Sequence, residues 1–214
     1  MAASAPQDAD RSWTGPTPLR GALAAAEFQA VLDLVAPVAE HLWDVHRRLG
    51  KIRGELAAEA TRAAEACLAR EPQTAACLYG RAVALGLEAR AHPTRAGELL
   101  NTMLGCLANA DAADPNYDQA GPARVRALVL IRAPGWPLGP GDAEAGLVAA
   151  RRAATLQPQY PPNLLALAEA LAKTGDTNGA RESYDHARSV AQALPATADR
   201  DGWLREADEA LRRR

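Results

Sequence analysis

The chain has little of most things that build an active site. Its 214 residues hold a single Phe and 4% aromatics, so an aromatic-rich core is excluded. Apolar residues still make up 48%, and the core must therefore come from Ala, Leu and Val. Such a core suits close-packed helices, because Ala leads the helix-propensity scale and lets helix axes approach. No charge excess is present either: the net charge is −2, which gives no electrostatic footprint for nucleic acid. No apolar run reaches the ~20 residues that span a bilayer. Residues 1–18 lack a basic start and an apolar stretch, so they do not read as a signal peptide. They read as a disordered, small-residue leader, equally suited to a tether left after a lipoprotein signal is removed and to a cytosolic start.

Catalytic motifs are missing too. There is no nucleophile elbow, phosphate loop or dinucleotide fingerprint. The serines, Ser4, Ser12, Ser183 and Ser189, have no plausible His and acid neighbours by sequence. His41 and His46 stand about 140° apart on a helix and cannot share a metal as an i, i+4 pair could. His92 and His186 are isolated. These absences predict a protein that is not an enzyme, with no metal and no cofactor. Cys67, Cys77 and Cys106 are odd in number, with no CxxC. They read as small core or near-core thiols, two of them on positions that want small apolar residues. A Cys67–Cys77 disulfide across adjacent helices is the open alternative, one that the sequence alone does not decide.

What is present is a period. Glu71-Pro72-Gln73-Thr74, Asp114-Pro115-Asn116-Tyr117 and Gln157-Pro158-Gln159-Tyr160 place their prolines 43 residues apart, twice. Each junction closes one Ala-rich amphipathic stretch and opens another, the mark of a helical-repeat array. Residues 19–70 are predicted to hold N-terminal helices over 19–35, 38–49 and 55–69. Residues 71–194 are predicted to hold three pairs: 74–90 with 94–110, 122–132 with 142–156, and 162–173 with 178–194. Residues 195–214 are predicted to end in a capping helix over 201–213. Thr94 and Asp142 are the expected N-caps.

The last pair resembles a tetratricopeptide repeat. Leu164, Leu167, Ala168 and Leu171 on its first helix, then Ala180, Tyr184 and Ala187 on its second, match that repeat in type and spacing. Small residues stand where two backbones come closest and large ones fill the groove beside them. The predicted fold is an all-α, tetratricopeptide-repeat-like superhelix with capping helices at its ends.

A narrower resemblance lies between residues 121 and 163. Gly121-Pro122-Ala123-Arg124-Val125, Arg132-Ala133-Pro134-Gly135-Trp136-Pro137, Gly141-Asp142, Pro158-Gln159-Tyr160 and Asn163 resemble the TatT family. These are the tetratricopeptide-type accessory components of tripartite ATP-independent periplasmic (TRAP) transporters. The resemblance implies a periplasmic lipoprotein with a groove or pore that meets the transporter's solute-binding protein. A lipid anchor would then lie upstream, and a homo-oligomer is open. The chain departs from the family pattern in lacking a lipobox cysteine and in carrying Ala120 where a Gly is usual. The alternative is a general repeat scaffold for protein–protein interaction, cytosolic or in the envelope, with no transport role.

Arg124 and Arg132 stand eight residues apart on one predicted helix, about 80° apart around its axis. Two guanidiniums beside a groove could hold a carboxylate ligand. The commoner role of such an arginine is internal, with Arg124 paired to a carboxylate such as Asp142 or Glu169 and pinning the loop. Trp136 lies in a proline- and glycine-rich segment, Ala133 to Gly141, predicted to form an ordered loop. Its indole is either a ligand platform or, the commoner use of a large aromatic, packing that anchors the loop. Asn163 joins these three as a candidate binding residue.

Overall fold

The computed structural model describes Lys51 and residues 54–213. The expected leader over 1–18 and the expected helices over 19–35 and 38–49 lie outside the described residues. Among the described residues the chain is all-α. Helix α1 covers 54–70. It is followed by α2 (Ala75–Ala91), a 3-10 turn (Pro93–Arg95), α3 (Ala96–Ala113) and α4 (Tyr117–Arg132). Then come α5 (Ala143–Leu156), α6 (Pro161–Lys173), α7 (Thr177–Gln192) and α8 (Ala198–Arg212). From α2 onward the most extensive packing is between sequence neighbours: α2 with α3, α4 with α5, and α6 with α7. Helix α8 lies on α7 and also touches α6, while α4 touches α6 across pairs.

The helix ends follow from local chemistry. Pro161 opens α6, where its missing N–H costs nothing. Lys173 ends it, and Gly175 follows with φ at +91°, a conformation that favours glycine. The Gly175 N–H donates to Ala172 O at 3.2 Å and the Asp176 N–H to Leu171 O at 2.9 Å, which satisfies two terminal carbonyls. Asp176 then accepts from Gly179 N at 2.9 Å and so caps α7. Asp142 caps α5 through Ala145 N, and Thr197 caps α8 through Arg200 N. Thr94 does not cap α3. It sits inside the 3-10 turn that His92-Pro93 imposes, and the helix begins two residues later.

Alanine is the core's main material. Ala127, Ala150 and Ala170 are fully buried and cluster with Ile131, Leu147, Leu171 and Ala180 where α4, α5, α6 and α7 meet. A second cluster joins Ala82, Leu85, Leu99, Met103 and Leu107 between α2 and α3. A third sets Leu164, Leu165, Ala187 and Val190 against Ala207 of α8. Of the seven repeat-pattern positions, Leu164, Ala168, Leu171, Ala180 and Ala187 are buried, and Leu167 and Tyr184 are half-buried.

Two features differ from the sequence reading. Helix α4 does not simply start at Pro122: a left-handed turn precedes it, described below. Cys67 and Cys77 form a disulfide between α1 and α2, with Cα atoms 5.3 Å apart across a ten-residue separation. The expectation of three core thiols therefore holds only for Cys106, which is half-buried and whose thiol pKa burial raises. The turn over 71–74 folds α2 back onto α1 and brings the two sulfurs together, a closeness that spacing alone does not reveal.

Candidate binding cleft around Arg124 and Arg132

The turn before α4 is built from residues that normally avoid it. Asp118, Gln119 and Ala120 have φ of 49°, 56° and 60°, all left-handed and none of them glycine. Each such residue costs about 1–2 kcal/mol. A polar network offsets that cost. Arg124 is only 8% exposed, and its Nη1 donates to Asp118 O at 3.2 Å and Gln119 O at 3.1 Å. Its Nη2 donates to the Asp118 carboxylate at 2.8 Å. Asn163, fully buried at the start of α6, accepts from Arg124 Nη1 at 3.1 Å. Its Nδ2 donates to Gln119 O, Ala153 O and Gln157 O at 3.0, 3.1 and 3.2 Å. Buried polar groups tied together in this way specify one arrangement, because every lost partner would leave a desolvated group behind.

Aromatic rings close the network. The Tyr79 hydroxyl, from α2, donates to Asp118 Oδ2 at 2.9 Å. Burial, then the neighbouring carboxylate, pushes its pKa well above the usual tyrosine value. Tyr160 lies 5.1 Å from the Arg124 guanidinium, within cation–π range. Trp203 of α8 meets Tyr160 edge-on at 5.7 Å. Gly121 is required at its place: a Cβ there would stand 2.7 Å from Asp118 Oδ2 and 3.0 Å from the Tyr79 hydroxyl.

Beside this network is a cleft of about 220 Å³, lined by Arg124, Leu128 and Arg132 of α4, Pro162, Leu165 and Ala166 of α6, and Trp203 and Glu206 of α8. The structure thus brings Arg124 and Arg132 to one cavity, with Asn163 beneath Arg124. Arg132 is more exposed and grips Glu169 of α6 with both arms, Nε to Oε1 at 2.8 Å and Nη2 to Oε2 at 2.6 Å. That bond raises the Arg132 pKa further. Burial raises the Glu206 carboxyl; Arg132 opposes this, while Glu169 and Glu209 add to it. Burial also raises Tyr184, followed by the charges of Glu169 and Glu206. Among the described residues no group of three or more His, Cys, Asp and Glu side chains could hold a metal ion.

No family model matches the chain, and no curated protein matches its sequence.

Two expectations change here. Arg124 pairs with Asp118, not with Asp142 or Glu169. Asp142 is occupied in capping α5, and Glu169 belongs to Arg132. Trp136 does not anchor its loop: it is 91% exposed. The loop is instead held by its backbone, with Gly141 N donating to Pro134 O and Asp142 N to Leu130 O, both at 2.9 Å. It rests on the start of α3, where a Cβ on Gly97 would stand 3.2 Å from Leu138 O. Leu138 is itself 77% exposed, so the loop tip presents two large apolar side chains to solvent. Sequence reasoning did not find Asp118, Tyr79, Trp203 or Glu206. Their roles depend on the left-handed turn and on how α8 folds back, and no local pattern marks either.

Proposed function

We propose that this chain is a non-enzymatic binding protein of the TatT type, a tetratricopeptide-like helical array that serves a TRAP transporter as its periplasmic accessory component. The observation that carries the reading is the coincidence of the sequence period with the helix pairing. Pro72, Pro115 and Pro158 each lie in the turn that leads into the first helix of a packed pair, which begins at Ala75, Tyr117 and Pro161. Small residues at Ala168, Ala180 and Ala187 lie buried on the last pair, as a stacked array requires. The Arg124–Asn163 network adds to this reading, since both residues belong to the segment that resembles the family. A disulfide between Cys67 and Cys77 favours an oxidising compartment such as the periplasm.

The exposed Trp136 and Leu138 favour a protein partner, the solute-binding protein of the transporter, docking at the loop tip. The test is affinity purification of the tagged chain from periplasmic extract, with mass-spectrometric identification of what accompanies it. The solute-binding protein is expected with the parent chain and reduced with Trp136→Ala. Its absence, together with flanking genes that encode no TRAP permease, would leave the general scaffold as the better reading.

A further inference from the structure

Helix α1 is fastened to α2 more than it is packed on it. The two helices run antiparallel, with Cys67 bonded to Cys77, Glu65 standing 3.8 Å from Arg81, and the Thr61 hydroxyl donating to the Glu88 carboxylate. Cys77, Arg81, Ala84 and Glu88 share one face of α2, because residues three and four apart are neighbours on a helix. Apolar burial against this face is slight. Of residues 54–70 only Ala57 and Ala64 are buried, and Leu56 is 55% exposed. Two alanine side chains remove little apolar area from water, and that area is what ordinarily holds one helix on another.

The polar contacts do not make up the difference. Arg81 Nη1 is shut off from solvent and has no hydrogen bond among the described residues, with Glu88 Oε1 3.9 Å away. A buried donor without an acceptor costs free energy, which is recovered when water returns to it. An element with few buried apolar contacts opens locally while the rest of a protein stays folded. The Cys67–Cys77 bond therefore carries much of the hold of α2 on α1.

We propose that this disulfide is a redox-operated fastener. Oxidised, it keeps α1 on α2. Reduced, it lets α1 detach and uncovers the face of α2 that bears Cys77, Arg81, Ala84 and Glu88. The reductant is a dithiol. Its thiolate attacks Cys67 Sγ, because Cys67 is half-buried whereas Cys77 is only 2% exposed. Cys77 leaves as a thiolate and takes up a proton. The second thiol of the reductant then closes its own disulfide and releases Cys67, so that two electrons and two protons have passed to the protein. Helix α2 keeps its place against α3 throughout, through Ala82, Leu85, Leu99, Met103 and Leu107.

The test is labelling of the full chain with N-ethylmaleimide after reduction by dithiothreitol and its removal, read by peptide mass spectrometry. Hydrogen exchange is measured in parallel. Cys77 is the reporter, since a docked α1 leaves its sulfur buried even when the bond is broken. In the reduced chain Cys77 is expected to react as fast as Cys67. Amides of residues 54–70 should exchange about thirtyfold to a hundredfold faster than in the oxidised chain, the factor set by closing a ten-residue loop. Exchange in α4 to α7 should not change. Cys67→Ser, which frees Cys77 with no reductant present, should show the same fast labelling. Slow labelling of Cys77 in the reduced chain or in Cys67→Ser, with residues 54–70 still protected, would show that α1 stays docked without the bridge and would overturn the proposal. Faster exchange throughout α4 to α7 would overturn it too, since reduction would then unfold the whole chain.

Discussion

Arg124 and Asn163 grip the same carbonyl. Gln119 O accepts from Arg124 Nη1 at 3.1 Å and from Asn163 Nδ2 at 3.0 Å, while the two side chains bond each other at 3.1 Å. The triangle ties α4 to α6 through a backbone atom of the left-handed turn. Arg124→Ala should therefore destabilise the protein by about 3 kcal/mol, because it removes the donor to Asn163 Oδ1 and to Asp118 O and one of the two donors to Gln119 O. Arg213→Ala, at the exposed end of α8, should cost no more than about 0.5 kcal/mol. Urea unfolding of the two variants checks this. Equal midpoints would mean that the network does not hold the turn.

Ala180 is 4% exposed and sits in the cluster formed with Ala127, Ala150 and Leu171. Leucine there has no room, so Ala180→Leu should cost about 1–3 kcal/mol. A melting temperature equal to the parent's would show that α7 stands farther from α4 and α5 than this packing requires.

The Cys67–Cys77 disulfide makes stability depend on the redox state of the solution. Closing a loop of ten residues restricts the unfolded chain by about 2–3 kcal/mol. Dithiothreitol, or a Cys67→Ser, Cys77→Ser double variant, should lower the unfolding midpoint accordingly. The far-ultraviolet circular dichroism of the helices beyond α2 should stay. An unchanged midpoint would show that the bridge adds no stability.

Glu206 should leave a mark on the pH dependence of stability. Its carboxyl is raised in the folded protein, so the folded state holds its proton more tightly than the unfolded chain. The resulting contribution is fully present below the ordinary carboxylate pKa. It is lost as pH rises through that value to the raised one. Stability measured across the acid range should fall over this window in the parent relative to Glu206→Gln. Parallel profiles would remove the shift.

Much of the helical layout is legible in the chain. The junction prolines, the capping residue Asp142 and the spacing of Leu164, Leu167, Ala168 and Leu171 are local signals, and local signals survive without knowledge of the fold. The candidate site is legible only in part. Arg124 and Arg132 stand out as cations on one helix, but their partners depend on long-range geometry. Asp118 reaches Arg124 because three non-glycine residues turn left-handed, a conformation that their side chains disfavour and only the assembled network stabilises. Glu206 and Trp203 arrive from a helix some seventy residues away. Trp136 fails for the opposite reason: the rule that large aromatics are buried is a tendency, and this indole, on a loop held by its own backbone bonds, is exposed.

The junction between α6 and α7 has a consequence for how the chain can vary. Asp176 gives its N–H to the end of one helix and its carboxylate to the start of the next, so a single residue serves both. Inserting one residue beside it would separate the two duties, leaving either the carbonyl of Leu171 or the N–H of Gly179 without its partner. Length changes should therefore be confined to the longer connection between α4 and α5. There too one residue serves both ends, Asp142 giving its N–H to Leu130 O and its carboxylate to Ala145 N, so added residues have to fall before it, in the stretch from Ala133 to Gly141.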